Sequence, residues 1–391
     1  MRIALFTDTF PPFINGVSTS CYNLVQILKK NGNDVIVVTP QHSNGPLEIK
    51  DGIIFVPGIE LKKLYGYRIT SLYSPKVFKL IRDFHPEVIH NQTDSTIGQF
   101  AKIVANKLAV PIVYTYHTSY EDYTYYATHG YFDRLAKRVM RVYTKNVADS
   151  TTGFITPSYK TKEYLRYAGS DIYINIIPTG IDFTLFGDDK IDKEKQIAFK
   201  KEHQINENTK VFLLLGRVAK EKSMDISIKS FALYHQRHPE MDVKLIIVGG
   251  GPQLEELKEL VKTLNIENLV TFIGPVLAKE VPFYYHLADI YTSASLTETQ
   301  GLTFMEAMAS KTLVLARFDT NLADTIIDNE TGFFFHDEED FVLKVERIFA
   351  MNKEELDHIK EAAINICDTY SLEKFYSRIM EVYQRAIREY W

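Results

Sequence analysis

Short apolar runs alternate along the chain with longer segments in which apolar side chains recur every three or four residues. This alternation is typical of parallel sheets covered by helices on both faces. The first series of predicted strands comprises Arg2 to Thr7, Val35 to Thr39, Val88 to His90, Ile112 to Thr115, Gly153 to Thr156 and Ile174 to Pro178. The second comprises Val211 to Leu215, Lys244 to Val248, Val270 to Ile273, Asp289 to Ser293 and Thr312 to Ala316.

Helical spacing is clearest between the first two strands, from Val17 to Leu28, and the pattern ends at Asn31-Gly32, a favourable helix C-terminus. After Phe335 the pattern becomes wholly helical. Three final helices are predicted, over Leu343 to Ala350, Leu356 to Cys367 and Phe375 to Tyr390. The sequence therefore predicts an α/β protein with two Rossmann-like, doubly wound sheets.

The chain of 391 residues is too long for one core, since single cores stop growing near roughly 250–300 residues. A polar segment from Gly187 to Lys210 separates the two strand series and places the linker near Asp182 to Asp189. We expect an N-terminal domain over 1–183, a C-terminal domain over 184–370 and a last helix over 371–391.

Composition narrows the class of protein. Apolar residues make up 45% and charged residues 24%, as in folded globular proteins. The start reads as a strand and not as a signal peptide, and no stretch reaches the roughly 18 apolar residues of a spanning helix. Cys21 and Cys367 lack metal-ligand spacing and are expected to be buried thiols.

The net charge of −5 is unevenly distributed along the chain. Up to Gly180 there are 20 basic and 14 acidic residues, whereas the remainder has 25 basic and 36 acidic residues. A basic half beside an acidic half indicates that one domain faces an anionic surface.

Ligands of doubly wound sheets bind beyond the carboxyl ends of the strands. Gly16 opens the first helix there and lets backbone N–H groups approach a phosphate, although an Asn-Gly turn also has purely steric explanations. The dinucleotide fingerprint Gly-x-Gly-x-x-Gly is missing.

Arg217 and Lys222 follow a buried strand and could neutralise a leaving diphosphate, or form a solvated loop. Gly250, in a turn of three glycines, suggests close ligand approach or a tight turn.

The segment from Thr297 to Ala309 carries the strongest signal. Its helix opens at Gly301, Leu302 and Thr303, whose free N–H groups could hold a diphosphate. Glu306 lies between apolar residues inside this helix, where a carboxylate is costly unless it binds a ligand such as the ribose hydroxyls. Glu298 precedes the helix and could bind hydroxyls of a donor sugar.

Glu298 and Glu306 frame a Glu-x₇-Glu motif that resembles the motif of retaining glycosyltransferases of family 4, which have the GT-B fold. Further landmarks follow in the family's order: Asn15-Gly16-Val17, with Asn in place of one glycine; Ile177 to Asp182; Gly216-Arg217 with Glu221-Lys222; and Val248 to Pro252. The resemblance implies two domains facing a cleft and a terminal helix that returns to the first domain.

The resemblance also implies the chemistry. His117, in a His-Thr segment after a strand, corresponds to the family's histidine beside the donor sugar. His117, Arg217, Lys222 and Glu298 form the expected catalytic set. Transfer proceeds with retention while Arg217, Lys222 and the helix amides stabilise the departing nucleoside diphosphate. No Asp-x-Asp motif is present, so no metal or other cofactor is expected.

The acceptor side lies in the basic half. Seven tyrosines between 114 and 131 suggest an amphipathic wall or ordinary core packing. A basic amphipathic helix suited to an anionic bilayer follows, and a second basic tract precedes both, with Lys62, Lys63, Arg68, Lys76, Lys79 and Arg82. The expected acceptor or membrane residues are Tyr120, Asp122, Tyr123, Arg134, Lys137, Arg138 and Arg141.

These features resemble bacterial diacylglycerol glucosyltransferases, which implies UDP-glucose as donor, a lipid acceptor and a peripheral position on the inner face of the cell membrane. No nucleic-acid partner is expected. Two alternatives stay open: a soluble family 4 enzyme acting on a glycan, polyol or protein, and a catalytically silent GT-B adaptor.

Overall fold

The computed structural model describes residues 1–13, 15–60, 68–117, 133–296, 298, 300–323 and 325–390, without the side chains of 133–137, 140, 160, 161 and 321. The chain divides into two compact units. Unit 1 comprises Met1–Gly180 together with Leu372–Trp391, and unit 2 comprises Ile181–Ser371.

The described residues of unit 1 form ten strands. They are β1 (Arg2–Phe6), β2 (Asp34–Pro40), β3 (Glu48–Lys50), β4 (Ile53–Val56), β5 (Gly58–Glu60), β6 (Arg68–Thr70), β7 (Val88–Asn91), β8 (Ile112–Thr115), β9 (Gly153–Thr156) and β10 (Ile174–Ile176). Its helices are α1 (Gly16–Lys30), α2 (Pro75–Phe84), α3 (Thr96–Leu108), α4 (Asp133–Asp149), α5 (Tyr159–Tyr167) and, from the end of the chain, α13 (Leu372–Tyr390).

The main sheet of unit 1 has the order β10-β9-β8-β7-β1-β2-β4-β3, and β5 and β6 form a separate hairpin. All neighbours in the main sheet pair in parallel except β3 and β4. Successive residues of β1 point to opposite faces. Ile3 and Leu5 pack against α1 and α13, while Ala4 and Phe6 pack against α2 and α3. The expected return of the terminal helix to the first domain is therefore confirmed.

Unit 2 contains a parallel sheet of the order β13-β12-β11-β14-β15-β16. Its strands are β11 (Lys210–Leu215), β12 (Val243–Val248), β13 (Val270–Gly274), β14 (Ile290–Ser293), β15 (Leu313–Arg317) and β16 (Phe333–Phe335). Its helices are α6 (Lys193–Glu202), α7 (Met224–Arg237), α8 (Leu254–Thr263), α9 (Val281–Tyr285), α10 (Leu302–Ala309), α11 (Glu338–Ala350) and α12 (Lys353–Cys367).

The prediction of two doubly wound parallel sheets is confirmed, and all eleven predicted strands are present within one or two residues of their expected ends. The strands that the sequence did not predict are β3 to β6 and β16. They have three or four residues each, too few for a recognisable period. The polar segment after Gly187 contains α6, which belongs to unit 2.

Both cysteines are buried thiols, as expected. Among the described residues, no helix is both long enough and apolar enough to cross a bilayer. The same part of the chain contains no group of three or more His, Cys, Asp or Glu side chains that could hold a metal ion.

Candidate active site

The site in unit 2 lies at the carboxyl ends of β11 and β14, where the predicted residues follow buried strands. A small pocket there is lined by ten residues: Leu214, Leu215, Gly216, Lys222, Met224, Tyr291, Thr292, Ser293, Glu298 and Thr303. Three residues predicted from sequence, Lys222, Glu298 and Thr303, therefore meet around one pocket. Their convergence follows from parallel pairing of β11 and β14, which brings both carboxyl ends to one edge.

Two ion pairs hold Lys222 of this pocket and Arg217, which follows the pocket residue Gly216. Lys222 Nζ lies 2.6 Å from Glu298 Oε1, and the Arg217 guanidinium pairs with Glu221. The side chains of Glu298 and Glu221 are only 11% and 7% exposed, so both cations are anchored by nearly buried carboxylates. Arg217 and Lys222 are themselves 39% and 29% exposed, so the two cations are both paired and in contact with solvent. These four side chains carry no net charge together.

Glu221 was named in the sequence only as part of the Glu221-Lys222 landmark and was given no role, although its position four residues after Arg217 was a usable signal. Glu221 lies in a short 3₁₀ turn over Lys220–Lys222, and its carboxylate pairs with the guanidinium of Arg217. Arg217 is oriented by this pair before any ligand binds, which reduces the cost of ordering its long side chain.

Helix α10 begins directly after Gly301, whose φ of +71° lies in the left-handed region. A Cβ at this position would lie 2.7 Å from Leu322 Cδ2 and 2.8 Å from Phe304 Cδ2, so both conformation and packing require glycine. The N–H groups of Leu302 and Thr303 belong to the first turn of the helix, where backbone donors have no intrahelical acceptor. This end of α10 suits an anionic ligand.

Glu306 lies on the second turn of α10, partly buried, and its carboxylate Oε2 accepts a hydrogen bond of 3.0 Å from the Tyr285 hydroxyl. Burial raises the pKa of Glu306 to about 7, while the hydrogen bond from Tyr285 acts in the opposite direction. The sequence predicts that the charged form of Glu306 is costly inside the helix, and the raised pKa agrees with this prediction.

Two tyrosines that the sequence did not single out organise α10. The Tyr285 hydroxyl also contacts the Thr303 carbonyl at 3.0 Å, and the Tyr291 hydroxyl donates to Thr303 Oγ1 at 2.7 Å. Both tyrosine rings are buried against each other, with centroids 5.6 Å apart. No motif signals these residues in the sequence, because their role depends on the packing of α9 and β14 against α10.

The turn of three glycines after β12 is explained mainly by backbone packing. A Cβ at Gly249 would lie 1.8 Å from the Gly216 carbonyl oxygen, and one at Gly251 would lie 2.2 Å from the Val218 carbonyl oxygen. Gly250, the predicted donor-binding residue, has room for a Cβ, whose first contact would be Pro275 Cδ at 3.4 Å. The structural requirement for glycine therefore falls on its two neighbours.

In unit 1, His117 follows β8 and is partly buried. Its Nε2 lies 2.5 Å from Gln92 Oε1, and burial lowers the pKa of the imidazole to about 4. Gln92 directly follows β7, the parallel neighbour of β8. His117 is thus a neutral side chain held by an amide at the carboxyl edge of the sheet.

Gly16 begins α1 beside its N-cap residue Asn15, whose side chain accepts from the Ser18 N–H at 2.8 Å. Asn15 is extended, with φ of −160° and ψ of 166°, a conformation open to any residue. Asparagine in place of the family's first glycine is therefore compatible with the loop.

A partly buried carboxylate in unit 1 was also missed by the sequence analysis. Asp8, just beyond β1, accepts hydrogen bonds from the hydroxyls of Thr93 and Ser95. Burial raises the pKa of Asp8, and the two hydroxyls partly offset that rise. Asp8 ties the loop after β1 to the start of α3.

The acceptor residues Tyr120, Asp122 and Tyr123 lie outside the described residues, as do the side chains of Arg134 and Lys137. Tyr114 and Tyr116 are only 1% exposed and pack on Phe154, so the core-packing alternative holds for these two tyrosines. Arg68 is wrong as a surface residue of the second basic tract. Its side chain is only 3% exposed. From the first position of β6 it donates to the Gly58 carbonyl at 2.5 Å and to Asn44 Oδ1.

Four of the predicted basic residues in the described part of unit 1 reach the surface, whereas Lys62 and Lys63 lie outside the described residues. Lys76, Lys79 and Arg82 are exposed on α2, and Arg138 is exposed on α4. Beside Arg138, Val139 and Val142 are 58% and 55% exposed. The Arg141 guanidinium lies 5.1 Å from the ring centroid of Tyr167, which is itself 74% exposed.

Comparison with solved structures gives the class. The chain is similar to HepE (Alr3699) of Anabaena, solved with UDP and glucose, with a TM-score of 0.74, 18% identity and coverage of 97% and 98% of the two chains. Two parallel α/β sheets with a terminal helix on the first unit thus define a GT-B fold.

The family follows from sequence comparison. Residues 14–185 match the profile "Glycosyltransferase Family 4", and residues 195–365 match "Glycosyl transferases group 1". The alpha-monoglucosyldiacylglycerol synthase of Acholeplasma laidlawii is 32% identical over 88% of this chain and 86% of its own length. The enzyme of the same name from Streptococcus pneumoniae is 31% identical over 99% and 86%. The chain belongs to glycosyltransferase family 4 and is a nucleotide-sugar-dependent, retaining glycosyltransferase.

Proposed function

We propose that this enzyme transfers glucose from UDP-glucose to diacylglycerol or a related lipid at an anionic membrane surface, forming an α-glycolipid. The observation that carries the donor half is the pocket where Lys222, Glu298 and the start of α10 meet. The lipid half is supported by the two synthases that the chain resembles over most of its length.

Each part of the donor has a candidate partner in unit 2. The diphosphate is assigned to Arg217, Lys222 and the N–H groups of Gly301, Leu302 and Thr303, with Gly250 beside it. Glu306 accepts from the ribose hydroxyls, and Glu298 from hydroxyls of the sugar. Backbone donors and fixed cations stabilise the charge that develops as the bond from C1 to the diphosphate oxygen breaks.

The acceptor hydroxyl forms the new bond to C1 on the face that the diphosphate leaves, which preserves the anomeric configuration. Its proton passes to an oxygen of the departing diphosphate, so atoms and charge balance. In unit 1 the proposed site residues are Gly16 and His117, with His117 assigned to the donor sugar by the family resemblance. Because the acceptor hydroxyl passes its proton to the diphosphate, no side chain has to act as the base. The main contribution of the protein is then electrostatic stabilisation.

The donor assignment is tested by isothermal titration of UDP into the wild type and Glu306→Ala. Glu259→Ala is a matched control, since Glu259 lies on α8 with a side chain that is 74% exposed. We expect Glu306→Ala to weaken UDP binding about tenfold or more, as loss of a buried charged hydrogen-bonding partner costs about 1.5–3 kcal/mol. Equal affinities in the two variants would remove Glu306 from the donor site.

For the membrane, we propose that the outer face of α4, formed by Arg138, Val139, Arg141 and Val142, docks on anionic lipid on the cytoplasmic side. Exposed valines flanked by arginines, with Tyr167 beside them, fit an interfacial helix that inserts shallowly and attracts lipid phosphates. Tyr120, Asp122, Tyr123, Arg134 and Lys137 belong to the same proposed acceptor and membrane region.

Flotation with phosphatidylglycerol vesicles and with neutral phosphatidylcholine vesicles tests this face. The double variant Arg138→Glu, Arg141→Glu should bind anionic vesicles at least about thirtyfold more weakly, given about 1 kcal/mol per basic residue near the surface. Lys258→Glu, Lys262→Glu on α8 makes the same charge change in unit 2 and should bind normally. Equal loss in both variants would indicate an unspecific charge effect and reject the α4 face.

Product analysis then separates the acceptor classes. Radiolabelled UDP-glucose with diacylglycerol in mixed liposomes should give a chloroform-soluble product that disappears in Glu306→Ala. Label transferred only to a water-soluble acceptor would retain the glycosyltransferase and discard the lipid acceptor.

A further inference from the structure

A row of hydrogen-bonded side chains connects His117 to the terminal helix α13. Gln92 Oε1 lies 2.5 Å from His117 Nε2, and Gln92 Nε2 lies 2.9 Å from His90 Nε2. His90 Nδ1 lies 2.6 Å from the Tyr383 hydroxyl on α13. Gln92 is 5% exposed, and His90 and Tyr383 are fully buried.

The orientation of the Gln92 amide, with Oε1 toward His117 and Nε2 toward His90, determines which nitrogens carry protons, and a turned amide would reverse both assignments. An amide oxygen can only accept, so His117 Nε2 carries the proton that it donates to Gln92. An amide nitrogen can only donate, so His90 Nε2 accepts and the proton of His90 resides on Nδ1, facing Tyr383. The Thr115 hydroxyl, 2.7 Å from His90 Nε2, adds a second neighbour there.

Both imidazoles are neutral near pH 7. Burial lowers the pKa of His117 to about 4 and the pKa of His90 to about 3, the latter also through repulsion from His117. A neutral imidazole with Nε2 protonated has its remaining lone pair on Nδ1. Among the described residues of this hydrogen-bonded row, Tyr383 is the one other titratable group, and burial raises its pKa.

We infer that Gln92 is a positioning residue that holds His117 in the Nε2-protonated tautomer, so that His117 meets the donor sugar through Nδ1 as a hydrogen-bond acceptor. This inference rests on the proposed function for the contact between His117 and the sugar. The tautomer itself does not depend on that function. In the other tautomer Nδ1 would be a donor, and the direction of a hydrogen bond between His117 and a sugar hydroxyl would be reversed.

Nitrogen-15 NMR of histidine-labelled enzyme tests the tautomer directly, with the His117 signals assigned by their loss in His117→Gln. We expect a protonated Nε2 and an unprotonated Nδ1 at pH 7 in the wild type. A protonated Nδ1 would overturn the inference, whatever the activity of the enzyme. Because this measurement uses the unmodified protein, it does not depend on whether any variant folds.

Two Gln92 variants link the tautomer to the reaction. Gln92→Met has a similar shape and no polar atoms, and should give a mixture of tautomers with glucosyl transfer slowed roughly tenfold or more, as expected for a displaced reacting partner. Gln92→Glu keeps an acceptor for His117 Nε2–H. It should retain the tautomer and move the acidic limb of the pH–rate profile upward, since a carboxylate favours the protonated imidazole.

Outcomes for the two proposals are distinguishable. An active wild type with unchanged transfer in Gln92→Met would reject the positioning role and leave the proposed function intact. An inactive wild type with the expected tautomer would reject the proposed function and leave the assignment of the protons intact. Loss of thermal stability in Gln92→Met without loss of transfer would indicate a purely structural role and would also reject the inference.

Discussion

Lys222 Nζ lies 2.6 Å from Glu298 Oε1, so the cation proposed for the diphosphate is paired with the carboxylate proposed for the sugar. Their side chains are 29% and 11% exposed, and each therefore limits the position of the other. In unit 2 the two residues are 76 positions apart in sequence. The ion pair joins the loop after β11 to the loop after β14.

Removing either partner should affect different steps. Glu298→Gln releases Lys222 from its charged partner while keeping the shape, so UDP binding should be retained or tightened while transfer falls. Lys222→Met should weaken UDP binding and slow transfer by about 10²–10³-fold, the range for losing one preorganised charge-stabilising donor. Calorimetry with UDP and steady-state kinetics with UDP-glucose separate the two effects. Parallel loss of UDP affinity in both variants would contradict this division of roles.

Glu306 should make folding stability depend on pH. Its pKa of about 7 in the folded protein exceeds the value of 4.5 for an unperturbed glutamate. The stabilisation from the protonated form is therefore fully present below about pH 4.5 and is lost as the pH rises through 7. Differential scanning calorimetry at pH 5 and pH 8 should show Glu306→Gln gaining stability over the wild type only at pH 8. An identical difference at both pH values would show that Glu306 does not titrate in this range.

Tyr285 should hold Glu306 and the first turn of α10 in place. Tyr285→Phe removes the hydroxyl that contacts Glu306 Oε2 and the Thr303 carbonyl. The hydroxyl has a single proton, so its loss deprives Glu306 Oε2 and the Thr303 carbonyl of one shared donor at a cost of about 1–3 kcal/mol. Because Glu306 then loses the contact that orients it, UDP affinity should fall by about fivefold or more. Tyr284→Phe, at the neighbouring buried tyrosine, is the matched control for loss of a hydroxyl. A similar affinity in both variants would exclude Tyr285 from positioning the donor site.

Glycine replacements distinguish packing from ligand approach. Gly301→Ala should destabilise unit 2 by about 1–3 kcal/mol, because a left-handed residue acquires a Cβ that collides with Leu322 and Phe304.

Gly250→Ala should unfold at nearly the wild-type temperature, since its Cβ has ordinary contact distances. If donor phosphates approach Gly250 closely, the same variant should bind UDP more weakly. Normal UDP affinity in Gly250→Ala would remove this residue from the donor site.

Much of the site was predictable because residues that follow strands converge. The period of apolar positions predicted both parallel sheets, and parallel strands bring their carboxyl ends to one edge. Lys222, Glu298 and Thr303 could therefore be expected together without coordinates. The Glu-x₇-Glu spacing further placed one carboxylate before α10 and the other inside it.

Tertiary structure decided the partners of these residues. Tyr285 and Gln92 act through hydroxyl and amide groups that carry no sequence signature, and their contacts depend on how α9 packs on α10 and how β7 pairs with β8. Burial follows the same rule. Arg68 is of a residue type typical of surfaces, yet its side chain at the start of β6 is only 3% exposed.

The sequence by itself determined the two parallel sheets and the chemical types at their carboxyl ends, because a repeating apolar pattern reports local geometry. Only the folded chain decided which carboxylate pairs with which cation, which glycines are required by packing, and which pKa values shift. Those properties arise from atoms that are far apart in sequence and close in space, and the pattern of residues along the chain does not show which of them come into contact.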